Sequence, residues 1–405
     1  MFLTKLKTPI FYLRPTNFDL LLLFLAPLLT TMNGIAIDLY APSLPNIASF
    51  FHISSDLAKF SISMGLIGFA FGVFTLGLLA DYLGRRVMIL SGLFIFILAS
   101  ILAVYSTNIS VFMIARFFQG VGVATTSMLA RAMLLDRFHG KKLYIVMLYT
   151  TIAWGLGPVI APFIGGFLQH HFNWQANFIA YAIYGLFNLI IAFLFMQETL
   201  IKKKHNSHIL EKIKLIAFSK QFQIFVTLCG LSFCQFVIYN MVGVFIVERI
   251  MGYNAVIFGY SALFVGGGYF LGTLISRFLA SFYSVKRIIY IGLLFIPIPA
   301  LFLLGFLLAG FSVGLNLFAI IMSLVCLGVG MTLPSYIAKA LEPFKAHAGT
   351  AVSLHGGFVM LINFIITSLI TYLKVSSIFE MMVTILLIFI VQCILINIAR
   401  IKRYI

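Results

Sequence analysis

The sequence contains twelve apolar runs that are each long enough to cross a lipid bilayer as a helix. A spanning helix needs about 20 mostly apolar residues. Of the 405 residues 62% are hydrophobic and only 9% are charged, whereas a soluble domain has about 25% charged residues. The chain cannot bury this much apolar surface within itself, so the sequence predicts an all-α polytopic membrane protein. The predicted spans are centred near Leu29, Gly68, Phe96, Gly122, Leu156, Ala182, Phe236, Gly267, Ile296, Leu324, Val359 and Leu387.

One long hydrophilic segment, residues 198–221, separates the first six spans from the last six. The sequence therefore predicts two six-helix bundles, with a short match between LDRF at the end of span four and LEPF at the end of span ten. Transporters built from repeats place their binding site near the bilayer midplane, between the repeats. The predicted domains are an N-terminal segment 1–17, a bundle 18–197, a linker 198–221, a second bundle 222–399 and a tail 400–405.

The basic residues are strongly asymmetric across the predicted membrane. With twelve spans both termini and the central linker fall on one side, and nearly all of the 27 Lys and Arg lie there. The opposite side holds only Lys59, Arg249 and Lys374, while Arg116 and Arg131 lie within span four. Cytoplasmic loops carry the excess of Lys and Arg, so both termini are predicted to be cytoplasmic. The same rule explains the net charge of +17 without a nucleic-acid partner.

Enzymes and ATP-driven pumps are disfavoured by what the sequence lacks. It shows no cluster of nucleophile, base or metal ligands of the kind that an active site requires. It also has no phosphate-binding loop of the form G-x-x-x-x-G-K-[ST]. The four cysteines all lie in apolar runs, so no disulfide framework is predicted. We therefore expect no enzyme activity, no metal and no cofactor.

The loop between spans two and three reads GLLADYLGRR, Gly77 to Arg86. Its glycines permit a tight turn, and Asp81 can accept hydrogen bonds from Arg85, Arg86 or a nearby helix N-terminus. An ordinary basic loop on the cytoplasmic side is the alternative interpretation.

Span four contains ARFFQG, in which Arg116 lies about two turns from the outer end. Gln119 follows one turn later, so both side chains are predicted to project from one face. Arg116 could instead extend along the helix to the outer lipid headgroups.

Span five contains GLGPVIAPFIGG, Gly155 to Gly166. Small residues let two helices approach closely, and prolines bend a helix. Simple helix packing is therefore one explanation for Gly157, Ala161, Pro162 and the pair Gly165–Gly166.

Elimination among ten acids leaves Asp38 as the candidate for a proton carrier within the membrane. It lies within the helical run of span one, in TTMNGIAIDLYAPSLP. Removal from water disfavours the ionised form of a carboxylate, so such a group can take a proton from one side of the membrane and release it to the other. A solvated helix end is the alternative. The other acids lie near predicted helix ends or in loops, namely Asp19, Asp56, Asp81, Asp136, Glu198, Glu211, Glu248, Glu342 and Glu380.

Together these motifs resemble the major facilitator superfamily, and this resemblance implies their roles. The loop G-x-x-x-D-x-x-G-R-R is similar to the signature loop that holds the cytoplasmic side shut. By that resemblance, and with the acid of QETL at the end of span six, the gate residues are Gly77, Asp81, Gly84, Arg85, Arg86 and Glu198. R-x-x-Q-G is similar to a span-four motif associated with proton coupling. The resemblance therefore implies that Arg116 takes part in proton coupling together with Asp38. Span five is similar to the motif of proton-coupled antiporters, although Ala161 replaces a usual glycine.

Three further fragments resemble the Bcr/CflA branch of drug:proton antiporters. They are DLYAPSLP in span one, QETL, and HAGTAVSLHGG at the start of span eleven. Some related antiporters carry a second acid in span one where this chain has Thr30, so neutral or zwitterionic substrates remain open. His355 is interpreted either as a packed cavity histidine or as a substrate contact or proton relay. The predicted substrate-binding residues are Thr30, Asn33, Tyr40, Gln119 and His355.

The resemblance implies a monomeric drug/H⁺ antiporter in a bacterial inner membrane, driven by the proton gradient and exporting small amphipathic molecules by alternating access. Its partners would be the substrate, protons and the bilayer. Two alternatives remain open. One is an uptake symporter or facilitator for a nutrient, and the other is a dedicated exporter of an endogenous metabolite such as a siderophore.

Overall fold

The computed structural model describes residues 15–200 and 209–405, and within these ranges all regular secondary structure is helical. The N-terminal half comprises α1 Pro15–Asp38, α2 Leu44–Phe50, α3 Ser55–Leu83, α4 Arg85–Val104, α5 Ile109–Arg137, α6 Gly140–His171 and α7 Trp174–Phe195. The C-terminal half comprises α8 Ile209–Ala217, α9 Lys220–Ile238, α10 Ala255–Leu279, α11 Val285–Leu294, α12 Pro297–Leu308, α13 Leu315–Leu341, α14 Ala348–Tyr372 and α15 Ile378–Ile401.

Eleven helical segments of the described chain are long and apolar enough to cross a membrane. The remaining predicted span, centred on Leu156, coincides with α6, which has 32 residues but is not among those eleven. The predicted all-α polytopic fold is confirmed.

Two of the predicted spans depart from a regular α-helix. Span seven continues from α9 through two π-helical segments, Tyr239–Gly243 and Ile246–Ile250. The π-helix is rare in proteins, and where it occurs it is frequently part of a functional site. Span nine is divided into α11 and α12 just before Pro297, where the missing N–H and the proline ring break the helix.

Span one ends at a break that determines where Asp38 lies. Helix α1 stops at Asp38, and the chain passes through a 3₁₀ turn, Ala41–Ser43, into the short helix α2. Pro42 and Pro45 each stand in the first turn of one of these elements. Proline is tolerated there because the backbone N–H that it lacks would have no partner within the helix anyway. The sequence therefore places a carboxylate at the junction of two helical segments.

Five helices that start at the predicted external end are capped by side chains, whereas α13 follows Gly314 and has no such cap. At each of the five N-caps a side-chain oxygen accepts a hydrogen bond from a backbone N–H of the first turn, which satisfies one of the unpaired donors of a helix start. These caps are Ser54, Asn108, Asn173, Asn254 and Ser377.

The two halves meet along two pairs of helices, α3 with α14 and α6 with α10. In the first pair the hydroxyls of Ser63 and Thr367 lie 2.7 Å apart, and Phe74 packs edge-on against Phe358. In the second pair the helices approach closely, since a Cβ on Gly266 would lie 2.9 Å from the Cα of Val159. These contacts position the functional residues of both halves around one central interface.

Candidate functional site

Asp38 is buried at the interface between the two halves, with only 1% of its surface exposed. Its Oδ1 accepts a hydrogen bond of 2.6 Å from Nδ2 of Asn240, which lies in the first π-helical segment of span seven. Burial contradicts the alternative that Asp38 is a solvated helix end. The carboxyl group of one half is thus held by an amide of the other half.

Arg116 is also buried, at 2% exposure, and its guanidinium is directed inward. Nη2 donates to the carbonyl oxygen of Ala36 at 3.0 Å, and Nη1 donates to Oε1 of Gln119 at 2.6 Å. Gln119 in turn donates to the hydroxyl of Ser100 at 2.8 Å. Arg116 and Gln119 therefore share a face as predicted, and the alternative in which Arg116 reaches the outer headgroups is wrong.

Tyr40 connects this network to the helix break after Asp38. The Arg116 guanidinium carbon lies 4.1 Å from the centre of the Tyr40 ring, a cation–π arrangement that is stronger when desolvated. The Tyr40 hydroxyl lies 2.9 Å from that of Ser61. No ion pair joins Arg116 to Asp38 in the described part of the chain, so the positive charge is held close to Asp38 by Tyr40 and by the Ala36 carbonyl.

Of the other predicted substrate-binding residues, Asn33 lies with this group, whereas Thr30 and His355 do not. Asn33 lines a cavity of about 10 Å³ together with Arg116 and Gln119, and its Oδ1 has no hydrogen-bond partner. Thr30 is fully buried, and its hydroxyl donates to the Ala26 carbonyl. His355 lies on α14, toward the predicted cytoplasmic end.

The predicted gate loop forms a tight turn around Glu198. The backbone N–H groups of Arg85 and Arg86 both donate to the Glu198 carboxylate, each at 3.1 Å, so an anion occupies the N-terminus of α4, where the helix dipole favours it. Gly84 has φ of 100°, and a Cβ there would collide with the Glu198 carboxylate. Glycine is required at this turn for both reasons.

The two arginines of this loop have different partners. Nε of Arg85 lies 2.5 Å from Oδ2 of Asp136, which also accepts from the hydroxyl of Thr199 at 3.0 Å. Arg86 is 1% exposed and donates to the Phe193 carbonyl at 2.7 Å. The side chain of Asp81 lies outside the described residues, so its predicted hydrogen bonds stay a prediction. Gly77 lies within α3 in open surroundings.

The span-five motif packs α6 between α1 of its own half and α10 of the other. A Cβ on Gly157 would lie 3.1 Å from the Cα of Gly34, and one on Gly165 would overlap the Leu39 carbonyl. A Cβ on Gly166 would lie 2.3 Å from the Ala255 carbonyl oxygen of α10. Of the other motif residues, Ala161 is buried at 1% exposure, and the Pro162 carbonyl oxygen adjoins Gly259 of α10.

Sequence reasoning missed several polar groups that the structure buries. Asn240 is a lone amide in the apolar run of span seven. The Tyr181 hydroxyl donates to the Ile35 carbonyl at 3.0 Å. Glu248 was predicted to lie at an external helix end, but one of its carboxylate oxygens is buried without a partner. A polar residue alone in an apolar run is the only signal that the sequence offers for such positions.

The predicted external ends of the halves are joined by two cations. Lys59, predicted as an external basic residue, is fully buried, and Nζ donates to the Val375 carbonyl at 2.7 Å. Arg249 donates to the Pro45 carbonyl at 2.9 Å. Both cations approach the ring of Phe245, at 5.3 Å for Lys59 Nζ and 5.5 Å for Arg249 Cζ. These contacts hold the two halves together at that end.

A helical membrane protein in two halves, with buried charged groups where they meet, has the architecture of a secondary transporter. The family model of the Major Facilitator Superfamily matches residues 28–368. The chain belongs to this superfamily of transporters, as predicted.

Two relatives that match most of the chain bear the names of drug-resistance proteins. The chain is 30% identical over 334 residues to multidrug resistance protein MdtL of Shewanella oneidensis, covering 81% of this chain and 83% of that protein. It is 26% identical over 369 residues to the bicyclomycin resistance protein homolog of Haemophilus influenzae, covering 88% and 90%. Among solved structures, a D-xylose-proton symporter superposes with a TM-score of 0.73 at 14% identity, covering 93% and 97%, which shows the common fold.

Proposed function

We propose that this transporter is a proton-coupled exporter, which moves small amphipathic molecules outward as protons enter, by alternating access. Two relatives that span most of the chain bear names of drug-resistance proteins. The chain supplies two buried ionisable groups for this function, the carboxyl of Asp38 and the guanidinium of Arg116, and Asp38 lies at the interface between the two halves.

The observation that carries this proposal is the hydrogen bond between Asp38 and Asn240 across the two halves. An ionised Asp38 can only accept hydrogen bonds, whereas a protonated one can also donate. A change of protonation therefore alters a contact between the halves, and an equilibrium between two conformations shifts only through such a differential contact. Proton binding to Asp38 is in this way coupled to the arrangement of the halves.

Antiport requires that proton and substrate bind in turn rather than together. A substrate that donates a hydrogen bond to the ionised Asp38 would take the place of Asn240. Arg116, held by the Ala36 carbonyl and the Tyr40 ring, would keep a positive charge close by in either state and so stabilise the ionised form after the proton has left.

The test is transport into proteoliposomes with an imposed proton gradient, using a substrate first identified by an efflux panel in a host that lacks its own exporters. We expect the substrate to move opposite to the protons, and Asp38→Asn to abolish gradient-driven movement while the protein is still produced. Asp19→Asn is the matched control, because it makes the same change in the same helix at a partly exposed surface ion pair with Arg137, and such pairs contribute little.

Movement of substrate in the same direction as the protons would instead establish an uptake symporter. Unchanged gradient-driven transport by Asp38→Asn would remove this carboxyl group from the mechanism.

A further inference from the structure

Arg131 is a charged residue within the membrane for which the transport scheme above has no use. It lies on α5, 15 residues after Arg116, which places it about 22 Å further toward the predicted cytoplasmic end. It is half-buried. Among the residues that the structure describes, no hydrogen bond or ion pair engages its guanidinium.

His355 of the other half lies opposite Arg131. The two helices touch there, because a Cβ on Gly356 would lie 2.8 Å from the terminal methyl of Met128, and Met128 precedes Arg131 by one turn on the same face of α5. Arg131 and His355 are close enough to interact electrostatically. The Nε2 atom of His355 is buried and has no hydrogen-bond partner.

Acids of the chain that the structure describes at this end are already engaged. Asp136 accepts from Arg85 and Thr199, Glu198 accepts from backbone N–H groups, and Asp19 pairs with Arg137. Within the described part of the chain, these acids are thus not available to pair with the Arg131 guanidinium.

An unpaired guanidinium in this position is costly, and intramembrane charges are almost always paired or line the path of a substrate. Arg presents five donors in a rigid fork that matches a carboxylate. A histidine nitrogen can supply one further donor. A carboxylate between the two side chains would satisfy both of them.

We propose that Arg131 and His355 form a binding site for the carboxylate of the transported molecule, between the two halves and toward the predicted cytoplasmic side. The substrates are therefore small amphiphiles that carry an acidic group, as zwitterions or anions, rather than simple lipophilic cations. This inference rests on the proposed export function, since an exporter loads its substrate from the cytoplasm and meets this site before Asp38. A substrate with an acidic group also agrees with the sequence of span one, which has Thr30 where some related antiporters carry a second acid.

The experiment measures equilibrium binding to the purified full-length transporter in a neutral detergent without a proton gradient. The probes are three pairs of compounds of different scaffold, each an amphiphilic carboxylic acid and its methyl ester, including a fluorescent rhodamine with a free benzoate. The variants are Arg131→Gln and His355→Gln, and Arg137→Gln is the matched control on the same helix. We expect the wild-type protein and Arg137→Gln to bind the acids more tightly than the esters.

We expect Arg131→Gln to bind the acids about tenfold to hundredfold more weakly, as for a lost hydrogen bond to a charged group, and the esters within about twofold of wild type on the same scale. His355→Gln should lose a smaller part of the preference. Should Arg131→Gln fail to fold, Arg131→Lys replaces it and should lose part of the preference, because lysine lacks the fork.

Three outcomes would overturn this inference. The first is a wild-type protein that binds none of the acids or prefers none of them over its ester. The second is a preference for the acids that is as large in the Arg131 variants as in the wild-type protein. The third is displacement by phosphatidylglycerol of acid and ester alike, which would assign the site to a lipid headgroup. Because no gradient is applied, a preference that depends on Arg131 would stand even if Asp38→Asn showed the transport not to be proton-coupled.

Discussion

The two halves have the same arrangement of helices but differ in how their cytoplasmic turns are held. In the N-terminal half the turn between α3 and α4 contains Arg85, paired with Asp136, and surrounds Glu198, which caps α4. In the C-terminal half the acid after α13, Glu342, pairs with Lys339 of the preceding turn, and both are partly exposed. Asp136 of LDRF and Glu342 of LEPF thus occupy matching positions in the two short motifs but make different contacts.

The same asymmetry holds in the centre of the molecule. The N-terminal half supplies Asp38, Arg116 and Gln119, while the C-terminal half supplies the Asn240 amide. Both halves are needed to build the contact, but the charged groups belong to one of them. The two halves therefore share the helical architecture, whereas the ionisable groups of this central contact belong to the first.

The largest effect is expected from Arg116→Gln, within the half that carries the charges. The change removes two charge-assisted hydrogen bonds and leaves buried acceptors unpaired, which costs about 1–3 kcal/mol for each unsatisfied group. We expect gradient-driven transport to be lost and the thermal unfolding midpoint in detergent to fall. Transport at more than about a tenth of the wild-type rate, which corresponds to a change of only 1.4 kcal/mol, would show that the charge is dispensable.

A smaller effect is expected from Asn240→Ala, on the opposite side of the same contact. Asp38 loses one hydrogen bond, and bonds to charged groups contribute about 1.5–3 kcal/mol. We expect transport in proteoliposomes to fall by about tenfold to hundredfold. A loss as complete as that of Arg116→Gln would contradict the asymmetry, because the two halves would then contribute equally.

The smallest effects are expected from a pair of matched substitutions at the cytoplasmic turns. Glu198→Gln removes the negative charge at the N-terminus of α4, which contributes about 0.3–1 kcal/mol. Glu342→Gln removes a surface pair worth a few tenths of a kcal/mol. Thermal unfolding of both variants side by side should show a lower midpoint for Glu198→Gln, and equal midpoints would mean that the two turns are equivalent.

The sequence predicted the features that depend on composition and spacing along one helix. Apolar runs predicted the membrane fold, and a three-residue spacing placed Arg116 and Gln119 on one face. The Glu198 assignment rested on family resemblance, and its position at the N-terminus of α4 agrees with a role in holding that turn, although the role itself stays a prediction.

Contacts between distant parts of the chain could not be predicted in the same way. Asn240 is separated from Asp38 by 202 residues, and nothing local to either residue specifies its partner. The distribution of Lys and Arg across the membrane assigned Lys59 only to the external side. Its burial could not be predicted from that rule, because it depends on a contact with Val375 of the other half. The surroundings of Arg131 likewise depend on distant residues, since Asp19, Asp136 and Glu198, the described acids at that end, each have other partners.

The close approach of Gly165 to Leu39 has a mechanical consequence. With no space for even a methyl group between these backbones, α1 cannot rotate or slide without carrying α6 with it. Helix α6 also packs closely on α10 of the other half, through Gly166 and Ala255. Helix α6 therefore connects the helix that ends in Asp38 to the neighbouring half, so that in the proposed alternating-access scheme a displacement of α1 would be passed on to α10.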